Sequence, residues 1–126
     1  MSNRSSVTEI MSIKLAIIGS RSFSSYNDLD NAIKDLNFDL ALIISGGASG
    51  ADQLAESWAH ANEIAFRVIL PEWKKYGKGA GIVRNQLIVK EADFCLIFWD
   101  GESLGTKSTI AFCEKLEKSF KLILFQ

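Results

Sequence analysis

The chain has 126 residues, 48% hydrophobic and 23% charged, with a formal net charge of −1. That length accommodates one domain whose core needs neither disulfides nor metals, and a charge near zero excludes a global field that recruits nucleic acid. The charge is uneven, however: the stretch from Trp73 to Lys90 holds Lys74, Lys75, Lys78, Arg84 and Lys90 with no acidic residue, leaving nine basic and fifteen acidic groups elsewhere. An anion-attracting patch therefore sits on an acidic body.

The opening MSNRSSVTEI lacks the apolar centre of a signal peptide, and no run approaches the roughly 18 apolar residues of a membrane span. A cytoplasmic protein with no membrane partner is expected. Residues 1–11 read as a flexible extension and residues 12–126 as a single domain. IKLAIIG (13–19) is a short apolar run of the kind found in a parallel strand covered on both faces. NDLDNAIKDLN (27–37) places Leu29, Ile33 and Leu36 at helical spacing, with Asn27 or Asp28 as cap. LALIIS (40–45) is a second strand, and GADQLAESWAHAN (50–62) a helix with Leu54, Ala55, Trp58 and Ala59 on one face. AFRVIL (65–70) is a third strand, ended by Pro71, the chain's one proline. AGIVRNQLIVKEA (80–92) predicts a helix, DFCLIFW (93–99) a strand, TKSTIAFCEKLEKS (106–119) a helix and KLILF (121–125) a fifth strand. Apolar strands separated by helices mean a doubly wound, Rossmann-like α/β fold: a mainly parallel five-stranded sheet with helices on both faces. The expected strand order is 3-2-1-4-5.

In such sheets ligands bind beyond the carboxyl ends of the strands, where the strand order reverses. Three strand-to-helix junctions carry glycines or hydroxyls. The first is GSRSF, with Gly19, Ser20 and Arg21. The second is SGGASGAD, with Ser45, Gly46, Gly47, Ser49, Gly50 and Asp52. The third is DGESLGTKS, with Gly101, Ser103, Gly105 and Thr106. Glycines at 46 and 47 let a ligand approach the main chain, and the helix opening at Gly50 aims free N–H groups and a positive dipole end at the cleft. SGGASGAD lacks the spacing of a dinucleotide fingerprint, and GESLGTKS lacks that of a Walker A motif. Taken singly each is a tight turn; together with Arg21 and Arg84 they make an anion site, because arginine grips phosphate with a bidentate fork. Two roles fit Asp52. It is a helix-start charge that complements the dipole, or a carboxylate beside a phosphate, able to bind a ribose hydroxyl or act in acid–base catalysis. His60 lacks a readable catalytic partner. Cys95 and Cys113 read as buried packing residues, not metal ligands or nucleophiles. Trp99 reads as a packing residue, and Trp73, in the basic loop, as a lid residue or stacking platform.

The motifs GSRSF, ISGGASGADQLAESWA and LPEWKKYGKGAGIVRNQLIVKEADFCLIFWDGESLGTKSTI, from Ile13 onward, resemble the YspA-type proteins of the SLOG superfamily. Relatives there include the LOG phosphoribohydrolases, which remove the base from nucleoside monophosphates, the DNA-processing protein DprA, and sensor domains for nucleotide-derived signals. The resemblance implies that Ser45–Asp52 and the Arg84–Asn85 pair match DprA elements that bind DNA phosphate. It also implies that Arg84 matches a LOG arginine that assists catalysis, and that Gly101, Gly105 and Thr106 take the phosphate-binding part of the LOG glycine motif. The LOG glutamate falls at Ser108 or Thr109, so hydrolysis here would need another carboxylate: Asp52, Asp100 or Glu102. The expected function is therefore binding of a phosphorylated, nucleotide-derived ligand by a sensor, carrier or sequestering module. The alternative is a nucleoside-phosphate N-glycosidase using Asp52 and Arg84. The third reading is DprA-like binding of single-stranded DNA. The expected partners are a nucleotide-like small molecule and a second copy in a homodimer. DNA is expected to be an unlikely partner, because the rest of the chain is acidic. No cofactor or metal is expected.

Overall fold

The strand-forming runs are apolar on both faces, and the fold uses both. In the computed structural model, which describes residues 12–126, β1 (Ile13–Gly19) buries Leu15, Ala16, Ile17 and Ile18 in succession. Side chains alternate across a strand, so Leu15 and Ile17 enter one core layer while Ala16 and Ile18 enter the other. The expected extension over residues 1–11 lies outside the described residues. β2 (Leu40–Ser45), β3 (Ala65–Val68), β4 (Phe94–Trp99) and β5 (Phe120–Leu124) complete a sheet in the order β3-β2-β1-β4-β5. Every pairing is parallel. The doubly wound fold expected from the alternating elements is what the chain adopts.

The helices are α1 (Tyr26–Leu36), α2 (Ala51–Ala61), α3 (Trp73–Tyr76), α4 (Ala80–Glu91) and α5 (Leu104–Lys115). On one face, α1 and α2 set Leu29, Ile33, Ala55 and Trp58 against Leu15, Ile17, Ile43 and Phe98. On the other, α4 and α5 set Ile88, Val89 and Cys113 against Ala16, Ile18, Ile44 and Ile97. α1 begins one residue earlier than the spacing predicts because Ser25 caps it. The Ser25 hydroxyl accepts from the Asp28 N–H at 3.2 Å, which neutralises a free donor of the first turn. Asn37, in the left-handed region at φ 55°, closes it. β3 stops at Val68 rather than Leu70, although Ile69 still donates to the Ser45 carbonyl at 2.9 Å. β3 is an edge strand, and Arg67 on it pairs with Glu91 at 2.8 Å. Such charge on an edge discourages further strand pairing.

One piece was not legible as an element. Between β3 and α4 the chain forms the single turn α3 and a 3₁₀ turn, Gly77–Gly79, and none of these residues is buried. The strand order reverses between β1 and β4, so their carboxyl ends, with that of β2, open onto one crevice. No helix among the described residues is long and apolar enough to cross a membrane.

Candidate phosphate cleft

The ends of β1, β2 and β4 are drawn together by backbone contacts that leave no room for side chains. A Cβ on Gly19 would stand 2.7 Å from the Phe98 carbonyl oxygen and 2.8 Å from the Ala51 Cβ. Gly50 has φ +78°, a conformation favouring glycine, and a Cβ there would meet the Arg21 and Ser20 carbonyl oxygens at 2.5 and 2.6 Å. The first turn of α2 thus lies directly against the loop after β1. That loop is tied in turn to the one after β4, where the Asp100 N–H donates to Ser20 Oγ at 3.2 Å.

Asp52 organises the second loop. It is 5% exposed, and its Oδ2 accepts from the Gly46 N–H at 2.9 Å and the Ala48 N–H at 3.3 Å. The carboxylate that opens α2 reaches back and folds the glycine segment over itself. Burial raises its pKa, opposed by the N–H groups of Ala48 and Gly46 and by the Arg84 charge. Arg84, on α4, donates from Nη1 to the Gly46 carbonyl at 2.5 Å and from Nε to Asn85 Oδ1 at 2.7 Å. A Cβ on Gly46 would fall 2.5 Å from that Nη1. The glycine at 46 thus makes space for the guanidinium, and Gly47 is flanked by Leu70 and Val68. The two glycines expected to admit a ligand, Gly46 and Gly47, lie instead against the protein's own side chains, and Gly50 lies against its own backbone.

The third junction is capped. Asp100 Oδ1 accepts from the N–H groups of Glu102 and Ser103 at 2.9 and 2.8 Å, which hold its carboxyl below the ordinary range. Ser103 is the N-cap of α5: its Oγ accepts from the Thr106 N–H at 3.4 Å and lies 3.2 Å from the Thr106 hydroxyl. The Trp99 indole donates to the Ser103 carbonyl at 3.0 Å and pins this turn. Thr109, one of the two positions matched to the LOG glutamate, turns its hydroxyl back onto the Gly105 carbonyl at 3.0 Å.

These junctions enclose a cleft of about 500 Å³, within the usual range for small-molecule sites. Of the residues singled out in the sequence, Gly19, Arg21, Asp52, Arg84, Asn85, Asp100, Ser103, Gly105 and Thr106 line it. Ser20 and Ser45 are buried behind the wall, and the Ser45 hydroxyl has no hydrogen-bond partner. Gly46, Gly47, Ser49, Gly50 and Gly101 shape the loops without lining the cavity. Lining residues that sequence reasoning passed over are Ile18, Ser22, Ala48, Gly81 and Ile82; Trp73 reads in the sequence as a lid residue or stacking platform, and Lys78 only as part of the basic loop. Gly81 and Ile82 stand in the first turn of α4, and only the course of that helix across the cleft exposes them. A Cβ added to Gly105 or Gly81 would meet no heavy atom within 4 Å, so both glycines border open space in the cleft.

The charge arrangement is distinctive. Arg84 is partly buried, and burial lowers its pKa; Asp52 opposes that shift and the neighbouring charge of Arg21 adds to it. Both guanidinium-bearing residues line the one cleft. His60 is exposed on α2 beside Glu56 and Ser57, away from the cleft. Cys95 and Cys113 are buried and unbridged. Among the described residues no cluster of His, Cys, Asp and Glu could hold a metal ion.

The fold and this cleft define a Rossmann-like domain with a glycine-rich cleft at its switch point. DNA processing protein A of Streptococcus pneumoniae superimposes with a TM-score of 0.75 at 20% identity, over 91% of this chain and 51% of that one. The same protein from Helicobacter pylori, known for its mode of binding single-stranded DNA, gives 0.69 at 22% identity, over 90% and 66%. A family model for YspA, cpYpsA-related SLOG proteins matches residues 13–76, and the chain belongs to that family. The Gene 61 protein of Mycobacterium phage D29 is 35% identical over an 80-residue alignment that covers 59% of this chain and 64% of the relative, so the chain spans just under two thirds of that relative's length.

One expectation is corrected here. DNA was set aside as a partner because the chain outside Trp73–Lys90 is acidic. The Helicobacter pylori protein, which binds single-stranded DNA, shares the fold over 90% of this chain, so that exclusion does not stand. The physical reason is that phosphate contacts are local: Arg21, Lys78 and Arg84 gather at one cleft whatever the charge elsewhere.

Proposed function

We propose that the cleft binds a phosphorylated, nucleotide-derived ligand, the protein acting as a sensor, carrier or sequestering module. The observation that carries this reading is the pair Arg21 and Arg84. Both line one cleft together with Lys78, and an anion held among these cations gains charge-assisted contacts. Arg84 is already oriented by Gly46 and Asn85, so little order is lost on binding. The start of α5, at Gly105, adds the positive end of a helix dipole. The N-glycosidase reading is less favoured, because Asp52 and Asp100 each hold loop N–H groups.

The test is calorimetry with nucleoside monophosphates and ADP-ribose, on the wild-type chain and on Arg21→Ala. Arg21 is exposed, so its loss leaves the fold intact. Binding that weakens at least about ten-fold in the variant, the order of one charge-assisted contact, supports the reading. No heat with any of these ligands rejects it. Chromatography for released base decides whether anything is cut.

A second reading, single-stranded DNA binding, is favoured by one observation: Trp73, Lys74, Lys75 and Lys78 are exposed together beside the cleft. A gel-shift with oligothymidylate that fades with rising salt is its expected signature.

A further inference from the structure

Trp73 is 58% exposed, an unusual position for a side chain with so much apolar surface. It sits on α3, and neither α3 nor the following 3₁₀ turn buries a single residue. Core packing therefore does not explain it. Among the described residues the aromatic pairs are Phe23 with Phe98, Phe23 with Phe125, and Phe38 with Phe94, so its ring has no aromatic partner. Yet Trp73 lines the phosphate cleft, as does Ile82 from the first turn of α4, itself 47% exposed. The cleft thus combines an apolar wall with cationic groups, Arg21, Lys78 and Arg84.

We infer that this wall is the base-binding part of the site: the Trp73 ring stacks on the nucleobase of a mononucleotide whose phosphate lies at Arg21 and Arg84. The inference rests on the phosphate-cleft reading above and adds where the base lies and what holds it. Stacking suits an exposed indole because every nucleobase has a π face and the contact needs no hydrogen-bond match. Ile82 supplies an apolar neighbour that shields the stacked pair. Ligand choice then follows: sugar phosphates without a base use only half of the site.

The experiment compares ribose 5-phosphate with purine and pyrimidine nucleoside 5′-monophosphates on the wild-type chain, Trp73→Ala and Trp73→Phe. The base is expected to improve wild-type affinity roughly ten-fold over ribose 5-phosphate, the order of one stacking contact. That gain disappears in Trp73→Ala and is largely retained in Trp73→Phe, while ribose 5-phosphate binds all three alike. If ribose 5-phosphate binds and the base adds nothing, or if the gain survives Trp73→Ala, the stacking wall is overturned and the phosphate cleft stands. If neither ribose 5-phosphate nor any nucleotide binds, both fall.

Discussion

Asp52 is the residue where two roles competed, and its surroundings favour the structural one without removing the other. Its Oδ2 satisfies two loop N–H groups, one of them buried. Asp52→Ala orphans both donors and is expected to cost about 1–3 kcal/mol, read by urea denaturation. Asp52→Asn keeps an acceptor and removes the charge. Burial places the folded-state pKa above the ordinary value of 3.8, so the native protein holds this proton more tightly than the unfolded chain. Stability from this group is then present below that value and is lost as pH rises through the folded-state pKa. Asp52→Asn should therefore gain on the wild type as pH rises from about 4 toward neutrality; an unchanging difference would mean that the carboxyl ionises as it does in water.

At the scale of elements, the glycines divide into those that hold the frame and those that border the open cleft. Gly50 combines φ +78° with a Cβ position 2.5 Å from the Arg21 carbonyl oxygen. Gly50→Ala is expected to cost more than about 1 kcal/mol, from backbone strain alone, and to lower Tm by several degrees. Gly105 lies inside α5 with open space beside it. Gly105→Ala should raise stability by up to about 1 kcal/mol through helix propensity, while its methyl group intrudes on the cleft and weakens nucleotide binding. Thermal melts and calorimetry on the two variants separate these effects; a Gly105→Ala protein that binds nucleotide as the wild type does would move the ligand away from α5. A glycine count cannot tell the classes apart, because the difference lies in which neighbour faces each Cα. Gly46 was read as an opening for ligand, and only the path of α4 reveals that Arg84 takes that space.

For the whole molecule, the sheet separates two apolar layers that share no side chain. Ile33, on α1, belongs to one layer and Ile88, on α4, to the other. Ile33→Val and Ile88→Val should each cost about 0.5–1.5 kcal/mol, and the double variant should equal their sum within about 0.5 kcal/mol. Coupling beyond that in chemical denaturation would show that strain passes through the sheet. The same layering fixes the cleft, since α2 approaches it from one face and α4 from the other.

Periodicity and order in the chain determined the element sequence, the parallel sheet and the end of the sheet that matters. Local hydrophobic pattern decides whether a run is strand or helix, and crossover handedness leaves few ways to connect them. The arginines and the three glycine-bearing junctions were legible for the same reason, being adjacent to strand ends. The tertiary structure alone decided which atoms are left for a ligand. That Asp52 braces the glycine loop, that Arg84 occupies the space beside Gly46 and that Trp73 stands exposed at the cleft all depend on which groups the fold brings against each residue, or on the absence of any.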